Sequence, residues 1–203
     1  LDFGSQYTQL IARRVRELNV YCELLRCDIT AAELRARGTK AIILSGGPNS
    51  VYEDGAPTCD PEIFKMGLPI LGICYGMQLT AHLLGGRVER GATREFGYAE
   101  ILPRGSSKLL AGIHDSVSAS GENLLRVWMS HGDKVTKIPD GFSLMASTDA
   151  CPIAGICDEA RKFFGLQFHP EVTHTKQGME ILRRFVRDIA GVKADWIMGD
   201  YIA

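Results

Sequence analysis

Two short runs, AIIL at 41–44 and PILGIC at 69–74, are apolar at nearly every position instead of alternating apolar with polar. A strand of that kind is buried on both faces, which is the condition of a parallel sheet covered by helices above and below. The segments around them fit. QYTQLIARRVREL carries Leu10, Ile11, Val15 and Leu18 among arginines, a helical pattern with a basic outer face. VYCELL reads as a strand, TAAELRAR and PEIFKMG as short helices, and GMQLTAHLL as a helix closed by Gly85 and Gly86. Strands alternating with helices define an α/β fold.

The second half has a different rhythm. FGYAEIL, LLRVWM, FSLMAST, PIAGIC and KFFGLQF are strand-like and joined by polar or Gly/Pro turns, with no long helices between them. They extend the same sheet in mixed or antiparallel fashion. KQGMEILRRFVRDIAG supplies a closing amphipathic helix. The reading is an open mixed, mainly parallel sheet with helices on both faces, one domain over residues 1–191. Residues 192–203 form a tail that either packs back or begins a linker. The opening LDFGS reads as the end of a strand meeting a turn, as if a few residues preceded Leu1.

Composition excludes several partners. A net charge of −1 over 203 residues gives no electrostatic footprint for nucleic acid or an anionic membrane. No apolar run approaches the length of a membrane span. The six cysteines include no C-x-x-C pair, so free thiols in a reducing cytoplasm are the simpler reading.

One of them stands apart. In LGICYGMQ, Cys74 lies between Gly72 and Gly76 where an apolar strand gives way to a helix. This is the cysteine form of the nucleophile elbow, in which glycines allow a tight turn that lifts the nucleophile to a helix N-terminus. The N–H groups and dipole there favour the thiolate and are expected to lower its pKa. A packing cysteine between two glycines is the plainer alternative.

A nucleophilic thiol needs a base. Among five histidines, His82 falls inside a helix, His114 and His174 in polar stretches, and two remain serious: His131 in MSHGD and His169 in LQFHPEV. His169 ends a strand, where sites form in open α/β sheets. Pro170 keeps it extended, so Glu171, two residues on, points the same way and can fix the imidazole tautomer. The remaining signal is SGGPNS at 45–50. It has two readings: an imperfect ATP-phosphate loop, or an oxyanion hole in which the Gly47 and Tyr75 N–H groups face a tetrahedral intermediate. The second accounts for Cys74 and His169 with one site.

Together SGGP, GICYGMQ, MSHGD and FHPEV, in that order and spacing, resemble the class I (triad-type) glutamine amidotransferases over essentially the whole chain. The opening LDFGSQYTQLIARRVRE and the closing FHPEVTHT are similar in particular to the branch serving guanine nucleotide synthesis. The resemblance implies a flavodoxin-like amidotransferase fold. It implies Cys74 as nucleophile, His169 as general base and acid, Glu171 as orienting carboxylate, and Gly47 and Tyr75 as oxyanion donors. Gln78 would hold the substrate glutamine through its side chain, and the backbone of Ser130, Gly132 and Asp133 its amino and carboxylate ends. His131 would be a structural member of that loop.

By the same resemblance, this domain uses no metal or cofactor. A synthetase domain of ATP-pyrophosphatase type, with ATP and Mg²⁺, would take the ammonia to adenylated XMP, and the complete enzyme would be a cytoplasmic homodimer. The alternatives are the glutaminase part of anthranilate, carbamoyl phosphate or CTP synthesis, a γ-glutamyl peptidase, and a non-catalytic regulatory module on the same fold.

Overall fold

The computed structural model describes residues 1–197 and 199. Its centre is a set of three short strands, β1 (Ile42–Leu44), β2 (Ile70–Ile73) and β8 (Phe163–Leu166). β2 runs parallel to both neighbours, with Ile43 opposite Leu71 and Gly72 opposite Gly165. From β8 the sheet continues antiparallel through β7 (Gly155–Asp158), β6 (Ser143–Ser147), β3 (Arg87–Pro103), β5 (Asn123–Lys137) and β4 (Ser116–Val117). The sheet is therefore mixed, and parallel pairing is confined to β1, β2 and β8; the expected weight of parallel pairing holds for that end alone.

Helices cover both faces, which is why the central strands are apolar throughout. Ile11 and Val15 of α1 (Thr8–Glu17) and Ile181 and Leu182 of α4 (Gly178–Arg183) join Leu71, Ile73, Phe164 and Leu166 in one core layer. Leu34 of α2 (Ala31–Ala36) and Met77 and Leu79 of α3 (Tyr75–Leu83) join Ile42, Leu44, Ile70 and Phe163 in the other. Successive strand residues thus feed opposite layers. α2 starts with a reciprocal cap, Thr30 Oγ1 accepting from the Glu33 N–H while Glu33 accepts from the Thr30 N–H. Past α4 the winding widens over Arg184–Ile189, and the Ala190 N–H reaches back five residues to the Phe185 carbonyl.

Three expectations change. VYCELL is not a ladder strand: the Asp2 N–H donates to the Leu25 carbonyl at 2.9 Å, and the isolated parallel bridge there, Asp2 to Arg26, falls one residue past it. PEIFKMG is a 3₁₀ turn over Pro61–Lys65, with Pro at its start and the Asp60 side chain accepting from the Glu62 N–H. MSHGD is not a loop but lies inside β5, since the β3–β5 hairpin runs 17 and 15 residues and extends far beyond FGYAEIL and LLRVWM. The tail packs back as far as it is described: the Trp196 N–H donates to the Asn19 carbonyl at 3.0 Å. Met198 and residues 200–203 lie outside the described residues. Among the described residues no helix is long and apolar enough to cross a membrane.

Close approach of α3 to the sheet sets the position of everything at its N-terminus. A Cβ on Gly165 would lie 2.7 Å from Met77 Cγ and 3.1 Å from Ile156 Cγ1. Gly165→Val is therefore expected to force α3 outward and destabilise the fold by about 1–3 kcal/mol. Urea unfolding of the variant against wild type, at constant m, measures it.

Candidate active site

β2 ends at Ile73, α3 begins at Tyr75, and Cys74 makes the turn with φ 54° and ψ −107°. A non-glycine residue at positive φ is strained by about 1–3 kcal/mol and persists only where its surroundings fix it. Here they do. The Cys74 N–H donates to the Leu166 carbonyl of β8 at 2.7 Å. The flanking glycines are required by space: a Cβ on Gly72 would lie 2.6 Å from Gly76, and one on Gly76 would lie 2.3 Å from the Leu44 carbonyl oxygen. The elbow expected from sequence is present, and it presses on β1 and β8 at once.

His169 follows the end of β8 and is 4% exposed. Its backbone is held on both sides, the N–H donating to the Trp128 carbonyl at 3.1 Å and the carbonyl accepting from Thr175 Oγ1 at 2.6 Å. Nδ1 faces Glu171 Oε1 at 2.6 Å, the two-residue relation that Pro170 enforces. A carboxylate accepts only, so Nδ1 carries the proton and Nε2 is left for the sulfur. Burial works against a charged ring. Hydrogen bonds from the ring to Cys74 and Glu171, and the negative charge of those groups, outweigh it, and the His169 pKa is pushed up to about 10. Cys74 Sγ also lies 3.5 Å from the Ser130 carbonyl and 3.5 Å from Gln167 Nε2.

The Ser-Gly-Gly turn after β1 closes the third side. A Cβ on Gly46 would sit 3.2 Å from His169 Cε1 and 3.7 Å from Cys74 Cβ, so this turn packs directly over the two groups. Gly47 lies against Phe3, whose carbonyl oxygen is 2.4 Å from the position of a Cβ. Ser45 Oγ accepts from the Phe3 N–H and anchors the turn. Neither the Gly47 nor the Tyr75 N–H donates to an acceptor among the described residues. The loop lies beside the cysteine and the histidine.

Gln78, one helical turn beyond Cys74, is buried and donates from Nε2 to the Asp133 carbonyl at 3.0 Å and to Gln167 Oε1 at 3.1 Å. Asp133 is gripped by its side chain as well, accepting from Ser50 Oγ and from Tyr52 OH. The stretch Ser130, Gly132 and Asp133 therefore borders Cys74 from β5. His82 is exposed on α3, His114 is exposed in a loop, and His174 stacks on Trp128 at 4.3 Å between ring centroids. His131 is buried and paired with Glu95 at 2.7 Å.

Two contributors escape a reading of motifs. Gln167 is fully buried beside the sulfur, and its signal is a polar residue inside the otherwise apolar KFFGLQF. Arg14 donates from Nε to the Glu171 carbonyl at 3.0 Å, tying α1 to the site; it looks from sequence like one more surface arginine.

A cysteine at a strand-to-helix elbow beside an imidazole fixed by a buried carboxylate is an arrangement that can carry out covalent catalysis on an acyl group. The chain matches the family model "Glutamine amidotransferase class-I" over residues 1–189, and it belongs to that family. Among relatives, proteins named "GMP synthase [glutamine-hydrolyzing]" from Thiobacillus denitrificans and Methylobacillus flagellatus are 62% and 60% identical over 202 residues. All of this chain is covered, but it spans only 39% and 38% of their lengths. A solved structure from Thermoplasma acidophilum, described as a GMP synthase component, superposes with TM-score 0.81 at 32% identity, covering 94% of this chain and 92% of that one. A glutamine amidotransferase from Thermotoga maritima shares the fold at TM-score 0.70 and 22% identity, covering 93% of each chain.

Since the His169 pKa is raised in the folded state, its charge stabilises the fold fully below its ordinary 6.5, and that contribution is lost as pH rises through about 10. Glu171→Gln removes one of the two groups holding the proton. The His169 pKa is expected to fall in this variant, read by NMR titration of the ring, and the variant's stability deficit to narrow between pH 6.5 and 10.

Proposed function

We propose that this chain hydrolyses the side-chain amide of glutamine to glutamate and ammonia. The support is the convergence of Cys74 Sγ, the His169 ring and Glu171 on one sheet edge, beside two unspent N–H groups. The sulfur attacks the amide carbon, and the oxyanion is met by the Gly47 and Tyr75 N–H groups. His169 delivers its proton to the departing nitrogen, so ammonia leaves and a γ-glutamyl thioester remains on Cys74. The ring, again neutral at Nε2, takes a proton from water, which attacks the thioester and frees glutamate and the thiol. Glu171 holds Nδ1 throughout and stabilises the imidazolium. Gln78 and the backbone of Ser130, Gly132 and Asp133 bind the substrate's far end. These steps draw on protein groups and water, and no resident metal or cofactor takes part.

We assign residues 1–191 to this amidotransferase domain and the segment from 192 to a tail leading toward a synthetase of ATP-pyrophosphatase type. That synthetase would bind ATP and Mg²⁺, transfer the ammonia to adenylated XMP to give GMP, and operate as a cytoplasmic homodimer. The relatives' shared name and the span this chain covers within them support that acceptor.

Cys74→Ala is expected to lower glutamate release from glutamine by at least about a thousand-fold, as for removal of a nucleophile elsewhere. A glutamine-analogue electrophile is expected to add its mass to Cys74 in the wild type and nowhere in the variant. Glutamate release by Cys74→Ala at the wild-type rate would remove the nucleophile from the scheme.

A further inference from the structure

The second Cys, His and Glu grouping in the molecule has no part in the chemistry above. Glu95, His131 and Cys151 place a carboxylate oxygen, a ring nitrogen and a sulfur within 4.8 Å of one another. The His131 side chain is 1% exposed and that of Glu95 15%. We infer that His131 and Glu95 form a clamp that sets the shape of the substrate-binding stretch of β5, His131 acting as a positioning residue for glutamine. This rests on the glutaminase reading of the site.

β3 and β5 pair in register from Val88 opposite Val135 to Arg90 opposite Asp133, and again from Glu95 opposite His131. Between them four residues of β3, 91–94, face Gly132 alone. A bulge of that size removes ladder bonds from one strand and leaves its backbone groups free to meet a ligand. The cost is a segment with little to hold its conformation.

His131 supplies the missing cross-links. Nε2 meets Glu95 Oε2 on β3 at 2.7 Å, and Nδ1 meets the Asp133 carbonyl at 2.9 Å. That same carbonyl accepts from Gln78 Nε2 at 3.0 Å, and the residue before His131 offers its carbonyl to Cys74 Sγ at 3.5 Å. The ring thus spans the bulge and fixes the residues on either side of Gly132. The protons follow from the partners. A carbonyl only accepts, so Nδ1 donates. Nε2 faces a carboxylate oxygen, so a second proton lies between them. The pair is an imidazolium and a carboxylate, or the same proton moved across, and is neutral as a unit. Cys151 packs beside it, its thiol pushed up to about 12 by burial and by Glu95.

A divalent metal on these three side chains is the competing account. It would take the Nε2 and Oε2 lone pairs that the 2.7 Å contact uses.

Asn at 131 reproduces the Nδ1 donor and loses the Glu95 link; Gln reproduces Nε2 and loses the Asp133 link. Both, with Glu95→Gln, are compared with wild type for glutamate release and for folding by thermal melts. The expected result is KM for glutamine raised roughly ten-fold in His131→Asn and His131→Gln, with kcat reduced less than KM rises. Glu95→Gln, which keeps shape and one hydrogen bond, is expected to lie between. Independently of activity, ¹⁵N NMR of the wild type is expected to show the His131 Nδ1 protonated, its N–H exchanging with water more slowly than in Glu95→Gln. Wild-type turnover with KM unchanged in the folded variants overturns the clamp alone, as does a His131 whose Nδ1 carries no proton, or stoichiometric zinc uptake abolished by Cys151→Ser. A wild type that releases no glutamate sinks the glutaminase reading, while the NMR arm still decides the clamp.

Discussion

The turn at Cys74 is the constraint on which the rest is built. Its positive φ is held by one hydrogen bond to β8 and by the close stacking of Gly76 on the Leu44 carbonyl. Neither contact exists without three adjacent strands in fixed order, β1, β2 and β8. Each of those strands then delivers a part of the site from its carboxyl end: the Gly46–Gly47 turn, the cysteine, and the segment carrying His169. Parallel pairing puts three chain ends on one rim, and an antiparallel arrangement of the same strands would send the middle one to the opposite edge.

The electrostatics follow from how dry that rim is. Glu171 is 1% exposed, and its Oε2 has no hydrogen-bond partner among the described residues. A buried carboxylate with a vacant oxygen is destabilising unless a cation stands beside it. His169 is that cation when protonated, and Cys74 is the second group that raises its pKa. The ring therefore holds its proton through contact with both partners, and on the proposed reading that proton is the one a departing amine requires. Arg14 and Trp128 act one layer out, through backbone contacts that keep Glu171 and His169 in register.

What could be read from the chain, and what could not, divides along physical lines. The elbow was legible because two glycines four residues apart report close backbone approaches, and the local approaches are there. His169 and Glu171 were legible because Pro170 restricts the backbone between them. The hairpin was not. The first part of β3, RVERGATRE, is exposed at most positions, so it has no apolar period to betray a strand. In β5 the sequence SHGD breaks the apolar run where the ladder opens, and a polar, glycine-containing tetrapeptide resembles a turn. VYCELL failed for the opposite reason: it has the composition of a strand, but the isolated bridge beside it falls on the next residue, Arg26.

The same opening explains why the antiparallel half is more than an extension of the sheet. The parallel strands bring Cys74, His169 and the Gly46–Gly47 turn together, and on the proposed reading these suffice to attack a carbonyl but not to choose one. Choice requires polar groups that are left unpaired when the wrong ligand is present. A regular β ladder has none to offer, since its N–H and C=O groups are spent on each other. By passing β5 beside Cys74 and interrupting its ladder at Gly132, the fold brings irregular backbone next to the sulfur, the Ser130 carbonyl lying 3.5 Å from it. The irregular strand and the strained elbow are in this sense alike: each departs from ideal backbone geometry, the elbow held by backbone contacts with β1 and β8 and the opened ladder spanned by His131 and Glu95.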